Sequence, residues 1–268
     1  MTTVADLPIE DCDEPNSILS KAFRVLKAFD SSDRVMSLSQ IARASGLPKS
    51  TVHRLIGRLL ELGALEQHRS GYRIGLALFQ IGVHTPANGL RDRALPYLAA
   101  LHRWSGLTVH FGVLRGLDVV YLEKLGPPNS PCRISAVGGR LPANCSALGK
   151  AMLAWEDRSY LEESLPAPLP RMTTRSITVR STLIGQLREI KAAGIARETG
   201  EIQLGLSCIA APIVVRDVAV GCVSVSYLAD VAPDSRLEGA LRDTVARISA
   251  ECRARVSGPR SYLFPREI

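Results

Sequence analysis

From residue 37 onward the apolar positions fall into a helical rhythm that stops and restarts. Ser37 and Gln40 form an S-x-x-Q capping box, which opens a short helix carrying Leu38, Ile41 and Ala42 inward. That helix stops near Ser45-Gly46. Pro48 then suits the first turn of a second helix, where a missing N–H costs nothing. Val52, Leu55, Ile56, Leu59 and Leu62 repeat at helical spacing and face a core. Ser50, Arg54 and Arg58 lie four apart on another face, flanked by Lys49, Thr51 and His53. Gly63 suits a left-handed cap. Two short strands, 64–67 and 72–74, follow around a turn at 68–71, and this hairpin carries Arg69 and Arg73. Upstream, a helix from Asn16-Ser17 sets Leu19, Phe23, Leu26 and Phe29 on one face, with a loop at 31–33 behind it. The sum is a winged helix-turn-helix over 17–75, a fold that puts its second helix in the major groove of DNA. Arg pairs with guanine edges, Ser and Thr bond phosphates, and Lys adds charge. A three-helix scaffold with a solvated basic face is the plainer alternative.

Beyond Gly75 the pattern changes. Leu76, Phe79 and Val83 share a helix face, with Leu78 and Ile81 beside it. A connector so apolar packs either on another subunit or within its own domain, and a linker helix is expected over 76–92. Residues 85–89 interrupt the pattern, and 90–105 is helical again. A larger domain spans 93–257. Alternation predicts a hairpin of strands 108–114 and 119–125, a third strand at 133–137 and a loop at 138–142. Ser146 caps a short helix to about residue 155. A weak helix at 159–165 ends at Pro166, Pro168 and Pro170. A helix at 182–193, capped by Ser181, stops at Gly194. Strands follow at 195–199, 208–215 and 218–227, and Asp234 caps a last helix to about residue 256. Hairpins mixed with scattered helices predict an α/β (α+β) domain with a mainly antiparallel sheet. Residues 1–16 and 258–268 are tails.

Charge sharpens the first reading. The 268 residues carry a formal +7, unevenly spread. Residues 1–16 hold five acids and no base, a composition read as disordered. Residues 17–75 hold ten Lys/Arg against four Asp/Glu, so positive charge is densest on the helix-turn-helix. The cysteines, Cys12, Cys132, Cys145, Cys208, Cys222 and Cys252, form no C-x-x-C and have no zinc spacing with His. Free thiols in a cytoplasmic protein are expected, with no metal and no membrane span. Gly149-Lys150 is not a P-loop, because Asn144 stands where Gly is needed and Ala151 where Ser or Thr is needed. Cys145 and Cys208 lack any neighbouring base and read as buried small hydrophobes. No catalytic residue and no cofactor are expected. Ser224 and Ser226, two apart, share one strand face with Cys222, while Val223 and Val225 face the other way. Hydroxyls there either bond locally or line a polar cavity.

The segments LSQIARASGLPKSTVHRLIGRLLELGALEQ with GYRIG, VGGRLPANCSALGKAMLA, GLSCIAAPI and VSVSYL occur in that order. Together they resemble the IclR family of bacterial transcription regulators, from about Ser17 to Arg255. The resemblance implies a winged helix-turn-helix, a linker helix and a C-terminal effector-binding domain of GAF-like fold. It implies homodimers through the N-terminal regions, often paired into homotetramers, on double-stranded operator DNA. Members repress, activate or both, under a small-molecule effector that is commonly a carboxylate or aromatic acid. In the family that ligand sits over the sheet, beneath the helix carrying G-K-A. By motif this places Ala147 and Leu148 before Gly149, Glu198 on the acidic position with Glu201 close by, Cys208 on its strand, and Ser224 with Ser226. Members that bind two- or three-carbon acids often have Gly-Ala before that glycine; here Leu148 is bulky.

The effector site is therefore expected between the 144–150 loop-helix, with Asn144 and Cys145, and the strands of Cys208 and Ser224–Ser226. The helix starting near Ser146 offers N–H groups to a carboxylate. Glu198 asks for a second polar group on the ligand, such as a hydroxyl donating a hydrogen bond, because a carboxylate there would repel another anion unless one was protonated. Two rivals stay open: a constitutive DNA-binding protein whose C-terminal domain only oligomerises, and a cysteine-dependent enzyme.

Overall fold

The computed structural model describes residues 17–29, 35–127, 130 and 132–255. The acidic tail, the 31–33 loop, Cys12 and the C-terminal tail lie outside the described residues. The chain parts into two units between Thr85 and Pro86.

The first unit holds α1 (Ile18–Lys27), α2 (Leu38–Ser45), α3 (Lys49–Glu61), β1 (Leu65–His68), β2 (Gly71–Ile74) and α4 (Leu76–Gly82). The capping box forms: the Gln40 side chain accepts from the Ser37 N–H at 2.9 Å, and the Ser37 hydroxyl accepts from the Gln40 N–H. Gly46 ends α2 at φ 63°, left-handed backbone that favours glycine. Arg24 of α1 donates to the Ser45 carbonyl at 3.1 and 2.7 Å, satisfying an open end of α2. Val25, Met36, Ile41, Val52, Leu55 and Ile56 fill the core. Met36 exchanges backbone hydrogen bonds with Tyr72, which fastens the hairpin to the start of α2.

Two expectations fail here. Leu62 is exposed at the C-cap of α3, not in the core. On α1, Val25 is the buried residue, while Leu19 and Phe23 are 70% and 60% exposed. The helix has apolar residues on two sides, and its unit covers only one. Helix α4 behaves likewise. Leu78 packs on the core, but Phe79 and Ile81 stay 66% and 68% exposed.

The second unit is built on a six-stranded sheet in the order β5-β4-β3-β8-β7-β6, antiparallel throughout. Its strands are β3 (Thr108–Arg115), β4 (Asp118–Leu125), β5 (Arg140–Pro142), β6 (Ala196–Thr199), β7 (Leu206–Val215) and β8 (Val218–Leu228). One face is dry. There α5 (Pro86–Ser105) and α9 (Leu237–Arg255) pack Leu98, Leu101, Leu241 and Ile248 on Val109, Phe111, Val223 and Val225. The other face meets α6 (Ala147–Leu153), α7 (Arg158–Ser164) and α8 (Arg180–Ala193) through Leu148, Leu161, Leu165 and Leu187.

Four boundaries differ from the sequence reading. The connector expected over 76–92 is two helices, α4 and α5, and the interruption expected at 85–89 is shorter, because Pro86 is already the first residue of α5, where proline is tolerated. Residues 133–137 make no strand, because Lys124 Nζ holds the Cys132 and Ser135 carbonyls at 2.7 and 2.8 Å in place of a ladder. The chain rejoins the sheet after the turn at Gly138-Gly139, so β5 lies where a loop was expected. Helix α8 begins at Arg180 without a side-chain cap from Ser181.

Candidate functional site

The recognition helix presents the face the sequence predicts. Lys49, Ser50, His53, Arg54 and Arg58 are exposed on α3 and Thr51 is half-buried, while Val52, Leu55, Ile56 and Leu59 hold the helix to the core. Arg69 is exposed at the hairpin tip. Two of the arginines already have partners: Arg58 pairs with Glu61, and Arg73 with Glu66, both at 2.8 Å. Lys49 and Arg54 make no ion pair among the described residues.

In the second unit, register builds the other site. On the face beneath α6, one row across the strands reads Thr108, Ser226, Cys208, Glu198. The next row reads His110, Ser224, Ala210, Ala196. Helix α6 lies over these rows. Its cap, the Ser146 hydroxyl, accepts from the Gly149 N–H at 3.0 Å. The Ala147 and Leu148 amides, first and second in the helix, have no intrahelical acceptor.

Six predicted residues come together around one cavity: Ala147, Leu148, Glu198, Cys208, Ser224 and Ser226. Two do not. Asn144 donates to the Pro170 and Ile177 carbonyls at 2.8 and 3.0 Å, and Cys145 donates to Pro170, so both brace the 170–177 segment. The cavity also takes Ser146, the expected helix start, and His110, Tyr121, Cys132, Ile134, Ile202 and Leu206, which sequence reasoning missed. A usable signal existed in β3, where Thr108 and His110 alternate with Val109 and Phe111 as the serines do in β8. The free space at the cavity's centre is about 10 Å³, room for one water molecule.

Its electrostatics are those of a dry place. Complete burial, helped by the Lys124 charge, drops the His110 imidazole to about 3, so the ring is neutral. Its Nε2 shares a hydrogen bond with the Ser135 hydroxyl at 2.8 Å. Burial, then the Glu198 charge, pushes the Cys208 thiol far up, and burial also raises Cys145. Neither is a thiolate near neutral pH, which removes the nucleophile a cysteine enzyme needs. Burial raises the Glu198 carboxyl too. Its Oε2 accepts the Glu201 N–H at 2.9 Å, while its buried Oε1 meets no donor but the Cys208 thiol. Behind the cavity, the fully buried Lys150 of α6 meets Glu201 at 2.6 Å. Among the described residues no cluster of His, Cys, Asp or Glu could hold a metal, and no helix is long and apolar enough to cross a membrane.

Residues 18–69 match the family model of the IclR helix-turn-helix domain, and 85–250 match that of the bacterial transcriptional regulator IclR C-terminal domain. The HTH-type transcriptional regulator KdgR of Escherichia coli is 30% identical over 248 residues, 89% of this chain and 94% of that protein. The glycerol operon regulatory protein of Streptomyces coelicolor is 30% identical over the same shares of both chains. Among solved structures, an IclR homolog from Microbacterium hydrocarbonoxydans complexed with 4-hydroxybenzoate superposes with a TM-score of 0.82 at 29% identity. It covers 89% of this chain and 100% of that one.

Proposed function

We propose, for a chain that belongs to the IclR family of DNA-binding bacterial transcriptional regulators, that a small hydroxylated carboxylic acid in the sheet cavity controls how a homodimer engages its operator. It is a regulator and not an enzyme. The domain plan of this reading gives 17–75 to DNA, 76–92 to the connection and 93–257 to the effector, all in the cytoplasm.

The observation that carries the effector half is the Glu198 carboxyl, whose buried Oε1 meets no donor but the Cys208 thiol beside it. A thiol is a weak donor, so a ligand hydroxyl placed there recovers free energy. The acid group has its own donors in the Ser224 hydroxyl and the first amides of α6. The 4-hydroxybenzoate of the Microbacterium relative is an acid of this kind. A cavity without unsatisfied polar groups would instead suit a domain that only oligomerises.

One gel-shift series tests both halves. Arg54→Ala is expected to lose about 1–3 kcal/mol on the specific operator and to relax base preference. Lys49→Ala is expected to weaken binding to all DNA and to lower the salt slope by roughly 1. Ser224→Ala should leave DNA binding intact and weaken the response to 4-hydroxybenzoate by roughly tenfold. Unchanged salt curves in both α3 variants would sink the DNA assignment, and an unchanged ligand response in Ser224→Ala would sink the cavity.

The dimer rests on the exposed Leu19, Phe23, Phe79 and Ile81, more apolar surface than a lone unit of this size needs. Two-fold dimers read half-sites roughly 34 Å apart. Light scattering is expected to give twice the 29.0 kDa chain mass, and Phe79→Glu with Ile81→Glu to halve it. A wild-type monomer at micromolar concentration would exclude the arrangement.

A further inference from the structure

Helix α4 carries the chain out of the DNA-binding unit, and it is fastened at its start. Gly75 is buried and donates to the Ala64 carbonyl at 2.9 Å, and a side chain there would run into the Gly63 carbonyl. Beyond that clamp Leu78 packs on the core, while Leu76, Phe79 and Ile81 are exposed. The first amide of the helix finds its acceptor on the hairpin: the Leu76 N–H donates to Glu66 Oε1 at 3.0 Å.

The other oxygen of that carboxylate is also taken. Glu66 and Arg73 stand opposite each other in the β1–β2 register, and Arg73 donates from Nε and Nη2 to Glu66 Oε2 at 2.9 and 2.8 Å. The Leu76 amide, then the Arg73 guanidinium, hold the Glu66 carboxyl below the usual carboxylate range, so it is ionised at neutral pH. One carboxylate therefore joins an arginine of the wing to the first turn of α4, and the two donors share its charge. The arginine is half exposed, and a solvated ion pair of this kind is weak enough for a DNA phosphate to displace it. With Arg73 on a phosphate, the carboxylate would no longer be neutralised. Its hydrogen bond to the Leu76 amide would then strengthen.

We propose that Glu66 is a positioning residue of the DNA interface: it couples a contact between Arg73 and a phosphate to the seating of α4. DNA held by the wing tightens the start of the connector. By reciprocity, whatever moves the start of α4 is felt at Arg73. This rests on the reading of Arg73 as a DNA contact and adds a route by which that contact reaches the connector.

The test adds a duplex of arbitrary sequence at low salt to the full-length wild type, Arg73→Ala and Glu66→Gln. Exchange of the Leu76 amide and the salt dependence of binding are the readouts. In the wild type, DNA is expected to slow Leu76 exchange about threefold. Arg73→Ala should exchange slowly even without DNA, slow no further, and lower the salt slope by roughly 1. Glu66→Gln keeps an oxygen for the amide but carries no charge, so Leu76 should exchange faster than in the wild type and ignore DNA. Slowing by DNA that persists in either variant would overturn the coupling, and so would a wild type that binds DNA without slowing. An Arg73→Ala protein with the wild-type salt slope would overturn the reading of Arg73 as a phosphate contact, and the coupling with it. A reduced slope without any slowing in the wild type would remove the coupling alone.

Discussion

Lys150→Met is expected to cost the C-terminal unit about 3–5 kcal/mol, the penalty for removing one partner of a buried ion pair. Lys150 is fully buried in α6, and its Nζ lies 2.6 Å from Glu201 Oε1. The other Glu201 oxygen is already buried without a partner. Removing the ammonium leaves that carboxylate with neither a counter-charge nor a donor at Oε1. Methionine replaces the volume, so the loss is electrostatic and not a cavity. For a unit of this size the melting temperature should fall by about 10 °C in calorimetry. Adding Glu201→Leu removes the stranded charge and leaves no unsatisfied polar group, so it should recover most of the loss. A Lys150→Met protein that melts within two degrees of wild type, or a double variant no better than the single, would refute the account.

Gly149→Ala is expected to destabilise the same unit, against the sign that helix propensity gives. In an ordinary helix alanine gains about 1 kcal/mol over glycine. Here a Cβ would stand 2.2 Å from Ala143 Cα and 2.3 Å from the Ala143 carbonyl oxygen, and both are backbone. The one-turn 3₁₀ helix at Ala143–Cys145 is itself buried and has no room to withdraw. Overpacking of this kind costs about 1–3 kcal/mol or more, which outweighs the propensity gain. The relief open to the chain is to lift the first turn of α6, and that turn carries Ala147 and Leu148. Thermal melts should therefore fall, and affinity for 4-hydroxybenzoate should fall at least tenfold at temperatures where the fold survives. An alanine variant more stable than wild type would show that the 3₁₀ turn yields freely.

The parts of this molecule that were legible in its sequence are those written locally. The Ser37–Gln40 box, the glycine stops and the α3 periodicity each act within one helical turn and reappear in the structure. The parity of Ser224 and Ser226 is local too, and both hydroxyls lie on the cavity face. What depends on pairing distant segments was not legible. Lys150 finds Glu201 across 51 residues, and Tyr121 reaches the cavity only through the β3–β4–β8 register. Residues 133–137 have the composition of a strand, but Lys124, from β4, holds the Ser135 carbonyl and that of Cys132 just before it. The outward sides of α1 and α4 read as core because apolar spacing records that a face is covered, not what covers it.

The narrowness of the sheet cavity has a consequence in time. A space with room for one water admits no aromatic acid as it stands. On the reading proposed above, an acid would enter only once the lining gives way, so its association rate is expected to level off with rising ligand concentration in stopped-flow, and its departure to wait on the same event.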